Sequence, residues 1–326
     1  MSREVIVTLS DAGYLSQAKQ LFSSVYHNSG WDGDYLLLEQ GIGQEDLAWF
    51  REKGIEVRSF PKMTRASFKK HPATILGKFH LFSPEFKRWK KVIYLDSDII
   101  VEASLDELKE VKGFNAVPDI HFKSLEDQFK GLEKDIDQGQ RNVYESLTRL
   151  YDMREPAFNS GVMAFDTDII KNEDMVDRLM DLYNRFGPVA NSDQSIFNLF
   201  FYRNWNRLPL VYDNYFPYRR PSWRPIYVPT ESIVQHFLWD KPWTRNDRHY
   251  DRLWMNNLSM ARSIDLENRI GPKKVWTEDE KKKQEALLTH LNREQDPIKK
   301  CFLSSVDRID SAAGKIGSFI RKLRDH

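Results

Sequence analysis

The stretch Lys91–Val101, "KVIYLDSDIIV", joins a strand of the buried kind to two carboxylates. Residues 92–95 are apolar apart from one tyrosine hydroxyl, and Asp96-Ser97-Asp98 follows them directly. Burying a carboxylate without a positive partner is costly, so a cation is expected nearby. Side chains two positions apart in a strand point the same way, so both aspartates can face one cation. The stretch therefore predicts a cation site at the carboxyl end of a buried strand.

The residues before this stretch alternate between strand and helix patterns. Apolar runs predict strands over residues 4–10, 34–41, 55–60 and 90–101. Helical spacing marks the segments between them, residues 14–30, 44–54 and 73–86, of which the first two end on glycine. This alternation predicts an α/β fold with a mostly parallel sheet covered on both faces. Such sheets bind ligands at the carboxyl ends of their strands, where Asp96 and Asp98 are expected.

Composition narrows the function classes. The chain has 326 residues and a formal net charge of +1, so no global field recruits nucleic acid. A single cysteine, Cys301, excludes an internal disulfide framework and a cysteine-rich zinc site. The start "MSREVIVTLS" has no signal-peptide core, and no apolar run reaches the length of a membrane span. We therefore expect a cytoplasmic protein.

The remaining chain predicts one large domain and a tail. We expect a main domain over residues 1–255, interrupted by a charged helical insertion at 120–157, and a helical tail over 256–326. From residue 298 the tail has seven Lys or Arg against three Asp, with apolar residues on one helical face. A basic amphipathic helix suits an anionic membrane surface, which would place the protein at the inner face of the membrane. Packing on the domain or on a partner, including a second copy, explains the face equally well.

Two enzyme classes end a strand on Asp-x-Asp. The haloacid-dehalogenase phosphatases place Thr or Val where this chain has Ile100, and their motif follows the first strand; both features argue against that class. In nucleotide-sugar transferases the pair holds a divalent ion against a diphosphate. Oxygen ligands suit Mg²⁺ or Mn²⁺, and an added imidazole favours Mn²⁺. "SIVQHFLWDKPW" offers His236, with Lys241 five residues later, although a core-edge histidine and a solvated lysine would look the same.

Several segments together resemble glycosyltransferase family 8, the group of glycogenin and the bacterial lipopolysaccharide galactosyl- and glucosyltransferases. The similar segments cover about residues 3–245 in family order: "VTLSDAGYLSQAKQLFSS", "LGKFHLF", "VIYLDSDIIV", "FNSGVMAFD", "DQSIFN", "LPLVYDNY" and "HFLWDKPW". The resemblance implies a GT-A fold and a retaining hexosyltransferase that uses a UDP-sugar, UDP-glucose or UDP-galactose. Its acceptor would be a saccharide, a glycolipid or a protein-linked glycan.

The resemblance also implies how the donor is bound. Tyr14 would stack on uracil, while Leu9, Ser10 and Asp11 line the base and ribose pocket. Lys78 would reach the sugar or phosphate region. The hexose would be hydrogen-bonded by four residues near strand ends: Asp119, Asn159, Ser160 and Gly161.

The reacting centre follows from the same resemblance. Asp96, Asp98 and His236 would ligate Mn²⁺, with Mg²⁺ as the alternative ion, and Ser97 would lie against the donor. Lys241 would pair with the β-phosphate. Two residues would lie beside the anomeric carbon as the catalytic pair: Asp193 and Gln194.

One departure leaves a second function open. Family members have a glycine where this chain has Trp239, and the segment before Lys241 is one residue shorter. That glycine lets the backbone approach a phosphate closely. A nucleotide-sugar binding protein without turnover is therefore the alternative. A nucleotidyltransferase is disfavoured, because no glycine- and arginine-rich phosphate loop opens the chain.

Overall fold

We describe the protein from a computed structural model, which covers residues 4–61, 63, 73–129, 138–187, 192–215, 230–238, 241–244 and 249–292, with the backbone only at 73 and 138–142. Two predicted features lie outside these ranges: Trp239 and the tail beyond residue 292.

A seven-stranded sheet forms the centre of the fold, in the order β3-β2-β1-β4-β7-β6-β8. All of its strands run in one direction except β7, which is antiparallel to both β4 and β6. The mostly parallel sheet is therefore confirmed. Its strands are β1 Glu4–Ser10, β2 Asp34–Glu39, β3 Glu56–Ser59, β4 Lys91–Leu95, β6 Phe114–Pro118, β7 Phe158–Asp166 and β8 Asn206–Arg207.

Helices cover both faces of the sheet. The α-helices are α1 Leu15–Ser24, α2 Gln44–Glu52, α3 Glu107–Glu110, α4 Leu125–Gln128, α5 Gln138–Leu150, α6 Met175–Phe186, α7 Ser192–Phe200, α8 His249–Met260 and α9 over 278–292. A π-helical turn, Val25–Ser29, extends α1. The 3-10 segments are Ala12–Tyr14, Ala73–Phe82, Pro84–Arg88, Thr167–Ile169, Leu210–Tyr212, Pro242–Thr244 and Ala261–Ser263. The predicted helix over 73–86 is thus helical, but of the tighter 3-10 type.

The apolar run of β4 is continuous because both faces of this strand are buried. Ile93 and Leu95 belong to the core on the α1 side, whereas Val92 and Tyr94 belong to the core on the other side. Successive side chains of a strand point to opposite faces, so a strand between two helical layers needs apolar residues at every position.

The stretch Lys91–Val101 forms two strands instead of the single strand predicted over 90–101. Residues 96–98 make a turn, and β5, Ile99–Val101, leaves the main sheet to pair antiparallel with β9, Val234–His236. The two polar carboxylates end β4 because they cannot continue into its apolar surroundings. The turn therefore carries both aspartates to the edge of the sheet.

The predicted insertion begins with α4 and continues with α5. Its apolar residues Leu125, Phe129 and Leu147 pack with Phe186 and Leu199 in a small cluster of their own. Leu132 and Ile136 share the helical spacing of Leu125 and Phe129 in the sequence, and both lie outside the described residues.

The chain beyond α8 packs on the core. Ile264, Trp276 and Leu288 join the cluster on the α1 side of the sheet. A capping box opens α9: Thr277 N donates to Glu280 Oε2 over 2.8 Å, and Glu280 N donates to Thr277 Oγ1 over 3.3 Å. The domain boundary after residue 255 stays a prediction. Among the described helices, none has both the length and the apolar character needed to cross a bilayer.

Phe82 should contribute strongly to stability, because its fully buried ring contacts four other phenylalanines: Phe114, Phe165, Phe197 and Phe201. We expect Phe82→Ala to lower the free energy of unfolding by about 3–5 kcal/mol, measured by urea denaturation. Val275→Ala, at a side chain 65% exposed, should stay within about 0.5 kcal/mol of the wild type. Equal stabilities of the two variants would contradict this assignment of the core.

Candidate active site

The predicted site residues gather at one edge of the main sheet. Asp96 follows the carboxyl end of β4, and its backbone N–H donates to Gly161 O over 2.8 Å. Because β7 is antiparallel, its first residues lie at this same edge. Ser10 ends β1 and Asp119 follows β6, so both also reach it. The edge is the one that parallel sheets use for ligands.

Three predicted metal ligands converge here. Ligand atoms of Asp96, Asp98 and His236 all lie within 4.8 Å of one another. The pairing of β5 with β9 produces this convergence, because His236 lies opposite Ile99 in the ladder. Within the described ranges, these residues make the one group of three His, Cys, Asp or Glu side chains with such geometry.

The donor set fits a divalent ion. His236 is fully buried, and its Nδ1 lies 2.8 Å from Asp213 Oδ1. Its Nε2 lies 3.2 Å from Asp98 Oδ1 but without the geometry of a hydrogen bond. A buried ring nitrogen that faces carboxylates and makes no hydrogen bond suits a metal ligand. Carboxylate oxygens with one imidazole suit Mn²⁺ or Mg²⁺.

The carboxylates in contact with His236 shift its pKa, and the cations around Asp98 shift the pKa of that carboxyl group. Burial lowers the pKa of His236, but Asp213 and Asp98 outweigh it and raise that pKa to about 10. Burial raises the pKa of Asp98, but Lys241 and His236 outweigh it and hold that pKa below its ordinary value. A metal ion needs the neutral imidazole, so its binding would release the His236 proton.

Lys78 bridges Asp96 and the predicted catalytic Asp193. Its Nζ lies 2.9 Å from Asp96 Oδ1 and 3.1 Å from Asp193 Oδ2, and 5.1 Å from the ring centroid of Tyr94. Tyr94 in turn donates its hydroxyl to Asp96 Oδ1 over 2.7 Å. Burial lowers the pKa of Lys78, but Asp193 and Asp96 outweigh burial and raise that pKa above its ordinary value. This lysine therefore stays charged. Lys78 therefore links the candidate metal ligand Asp96 to the predicted catalytic residue Asp193.

A hydrogen-bond network fixes the amide of Gln194. Its Nε2 donates to Asp119 Oδ2 over 2.8 Å and to Gln128 Oε1 over 3.0 Å, while its Oε1 accepts from Ser160 N over 3.1 Å. Ser160 Oγ donates to Asp193 Oδ2 over 3.0 Å. The predicted hexose-binding and catalytic residues are thus brought together by direct bonds.

Asn159 contributes a bond to the main chain next to this network: its Oδ1 accepts from Gly161 N over 2.7 Å. Position 161 requires a glycine, because the His236 and Asn159 side chains lie too close to it for a Cβ atom. A Cβ there would lie 2.3 Å from His236 Cε1 and 2.8 Å from Asn159 Oδ1. Real Cβ contacts are essentially never shorter than 3.0 Å. The glycine lets β7 pass directly beside the candidate metal ligand.

The predicted nucleotide residues lie at the end of β1. Leu9 and Ser10 are buried, whereas Tyr14 is 39% exposed and meets the Trp243 ring edge-on at 6.3 Å between centroids. Asp11 accepts from Gly13 N over 2.9 Å and so shapes the turn that presents Tyr14. An exposed ring beside a second aromatic suits base stacking.

Ser97 and Lys241 complete the predicted set. Ser97 is buried in the turn between the two aspartates. Lys241 forms an ion pair with Asp98 and donates to Phe237 O over 2.6 Å. This lysine therefore lies beside the candidate metal ligand Asp98.

Four neighbours of the site were not predicted to take part: Tyr94, Gln128, Asp213 and Tyr215. Three of these were in quoted motifs, since Tyr94 lies within "KVIYLDSDIIV", and Asp213 and Tyr215 lie within "LPLVYDNY". A polar residue inside each motif was the available signal. Gln128 carried none, because it lies in the insertion at residues 120–157.

A cavity of about 740 Å³ lies elsewhere, between α3, the turn Leu210–Tyr212 and α9. None of the predicted site residues lines it. Convergent polar chemistry, and not cavity size, therefore marks the candidate active site.

The mostly parallel sheet with an Asp-Ser-Asp turn at its carboxyl edge has the GT-A architecture, and solved structures agree. The structure of the galactosyltransferase LgtC in complex with donor and acceptor sugar analogues aligns with a TM-score of 0.56 at 17% identity, covering 84% of this chain and 98% of that chain. An active-site mutant of LgtC aligns with a TM-score of 0.59 at 18% identity, covering 85% and 99%. These likenesses show the fold.

The sequence profile of glycosyl transferase family 8 matches residues 5–247, so the chain belongs to this family. Glycosyltransferase GlyF of Streptococcus pneumoniae serotype 4 is 28% identical over 227 residues, which cover 65% of this chain and 49% of GlyF. Glycosyltransferase GlyB of the same organism is 30% identical over 130 residues, which cover 40% of this chain and 26% of GlyB. The chain thus spans about half or less of the length of these curated relatives.

Substitution of Gly161 should damage the metal site. We expect Gly161→Ala to displace His236, to destabilise the fold by about 1–3 kcal/mol and to weaken Mn²⁺ binding, because the new methyl group overlaps the imidazole. Thermal unfolding and Mn²⁺ titration measure the two effects. Gly43→Ala is the matched control, since a Cβ there would meet nothing closer than 3.9 Å. Unchanged Mn²⁺ affinity in Gly161→Ala would argue against His236 as a ligand.

Proposed function

We propose that this chain is a retaining, divalent-metal-dependent glycosyltransferase that moves a hexose from a UDP-sugar, UDP-glucose or UDP-galactose, to an acceptor hydroxyl. The observation that carries the proposal is the convergence of Asp96, Asp98 and His236 within 4.8 Å at the ligand-binding edge of a family 8 fold. Charged and hydrogen-bonding residues suited to a diphosphate and a sugar adjoin this cluster on either side.

The departing UDP needs positive charge at its diphosphate. Asp96, Asp98 and His236 would hold Mn²⁺, or Mg²⁺, which supplies electrostatic stabilisation of the leaving group when bound. Lys241 forms an ion pair with Asp98 and would bind the β-phosphate, as the family resemblance implies. Fixed charges of this kind need no rearrangement as the leaving group forms, which makes them effective in catalysis.

The sugar develops positive charge as its anomeric bond breaks. Asp193 is fully buried, and its carboxylate is shared between Lys78 at 3.1 Å and Ser160 at 3.0 Å. The Gln194 side chain is held by Asp119, Gln128 and the backbone N–H of Ser160. These fixed negative and dipolar groups suit stabilisation of an oxocarbenium-like sugar.

Retention of configuration can arise by a covalent intermediate or by substitution on the same face of the sugar. A covalent route needs a carboxylate free to attack the ring. Asp193 is engaged with a cation, and the resemblance places the amide of Gln194 nearest that point. We therefore favour same-face substitution, in which the acceptor hydroxyl gives its proton to the departing phosphate.

The acceptor and the location are part of the proposal. A saccharide, a glycolipid or a protein-linked glycan would take the hexose, and nucleic acid would not bind. We place the protein in the cytoplasm. The basic residues beyond Pro297 would allow contact with an anionic membrane. A second copy of the chain would be another partner.

Membrane contact can be tested on its own. We expect the full chain to float with vesicles containing phosphatidylglycerol, and a chain ending at Pro297 to remain in the dense fraction, because the deleted segment carries seven Lys or Arg against three Asp. Neutral phosphatidylcholine vesicles are the control. Equal flotation of both chains would remove the tail from this role.

Loss of one metal ligand should abolish turnover. With UDP-glucose or UDP-galactose and Mn²⁺, we expect Asp98→Asn to reduce UDP release by more than about 100-fold, and EDTA to do the same to the wild type. Glu173→Gln, at an exposed position on the surface, should behave as wild type.

Other outcomes identify other functions. UDP-sugar binding without UDP release would indicate the non-catalytic binding protein. Full activity of Asp98→Asn, or full activity in EDTA, would contradict metal dependence.

A further inference from the structure

Asp213 is a buried carboxylate beside His236, and the proposed reaction assigns it no role. It follows the turn Leu210–Tyr212, and its backbone N–H donates to Leu210 O over 3.0 Å. Its Oδ1 lies 2.8 Å from Nδ1 of His236, and both side chains have no exposed surface. Burying a carboxylate is costly, so this one must be compensated by what it contacts.

Tyr215 supplies the second contact. Its hydroxyl donates to Asp213 Oδ2 over 3.0 Å, so both oxygens of the carboxylate are occupied. The Tyr215 ring also meets the His236 ring edge-on, with 5.5 Å between centroids and 79° between planes. The imidazole is therefore held through Nδ1 and packed against an aromatic ring at the same time.

Backbone hydrogen bonds hold the segment of Asp213 and Tyr215 next to the strand of His236. Asn214 N donates to Val234 O over 3.0 Å, and His236 N donates to Asn214 O over 2.9 Å. The segment at residues 213–215 thus runs alongside β9, with the carboxylate placed next to the imidazole. This pairing leaves the His236 ring little freedom to rotate.

The same contacts extend towards the sugar side. The His121 ring stacks on Tyr215, with 5.7 Å between centroids and 23° between planes. The backbone N–H of His121 donates to Asp119 Oδ1 over 2.7 Å, and Asp119 also binds Gln194. A continuous set of contacts therefore joins the metal-side imidazole to the residues expected around the hexose.

We infer that Asp213 and Tyr215 are positioning residues that orient His236 so that its Nε2 faces Asp96 and Asp98. The inference rests on the proposed metal site and goes beyond its ligands. An acceptor at Nδ1 keeps the imidazole proton on that nitrogen, which leaves the Nε2 lone pair for the ion. The carboxylate also makes the imidazole a stronger ligand. Partners of this kind commonly change metal affinity by about 10–100-fold.

The test measures Mn²⁺ binding by the full chain without any sugar donor, from the electron paramagnetic resonance signal of free Mn²⁺. We expect Asp213→Asn, which keeps shape and loses charge, to weaken Mn²⁺ binding by about 10-fold. Asp213→Ala, which also removes the acceptor, should weaken it by about 100-fold. Tyr215→Phe keeps the ring and should show a smaller loss in the same direction.

A matched control separates positioning from general destabilisation. Asp166 also pairs with a buried cation, Lys91, over 2.7 Å in the main sheet. Asp166→Asn should lower the melting temperature and leave the Mn²⁺ affinity of the folded protein unchanged. Should Asp213→Ala fail to fold, the Asn variant and Tyr215→Phe carry the comparison.

The outcomes distinguish this inference from the proposed function. Wild-type Mn²⁺ affinity in folded Asp213→Asn and Asp213→Ala would overturn the inference, and so would a loss no larger than that of Asp166→Asn. A wild-type chain that bound no Mn²⁺ would overturn the metal site and the inference together. Mn²⁺ binding that depends on Asp213, without hexose transfer, would sustain the inference and refute the proposed function.

Discussion

The structure of this site depends on the need to balance two carboxylates placed side by side at the edge of an apolar sheet. Asp96 and Asp98 leave the strand in one turn, and each must find positive charge within a largely buried environment. Lys78 meets this need from one part of the chain, and His236 and Lys241 meet it from another. A divalent ion would meet it more completely, which connects the electrostatics of the fold to its chemistry.

The two aspartates divide the site into two halves. Asp96 is joined through Lys78 to Asp193, on the side expected to hold the hexose. Asp98 is joined to Lys241 and His236, on the side expected to hold the diphosphate. The bond that a glycosyltransferase breaks lies between these two chemical groups of its donor. The separation of the partners therefore matches the separation of charge in the reaction.

The reversed strand β7 brings the halves close together. Among its first residues, Ser160 donates to Asp193 on the side expected to hold the hexose, and Gly161 passes the His236 ring without a side chain. The insertion adds a further element, because Gln128 of α4 contacts the amide of Gln194.

Much of this could be predicted from the sequence, because burial on both faces of a strand and on one face of a helix leaves a local apolar pattern. That pattern gave the mostly parallel sheet, and the ordered motifs gave the residues of the candidate site. The division of Lys91–Val101 into two strands, and the contacts of Asp213 and Gln128, were decided by tertiary structure alone. They join residues far apart in the chain, and no local periodicity records which distant side chain will compensate a buried charge.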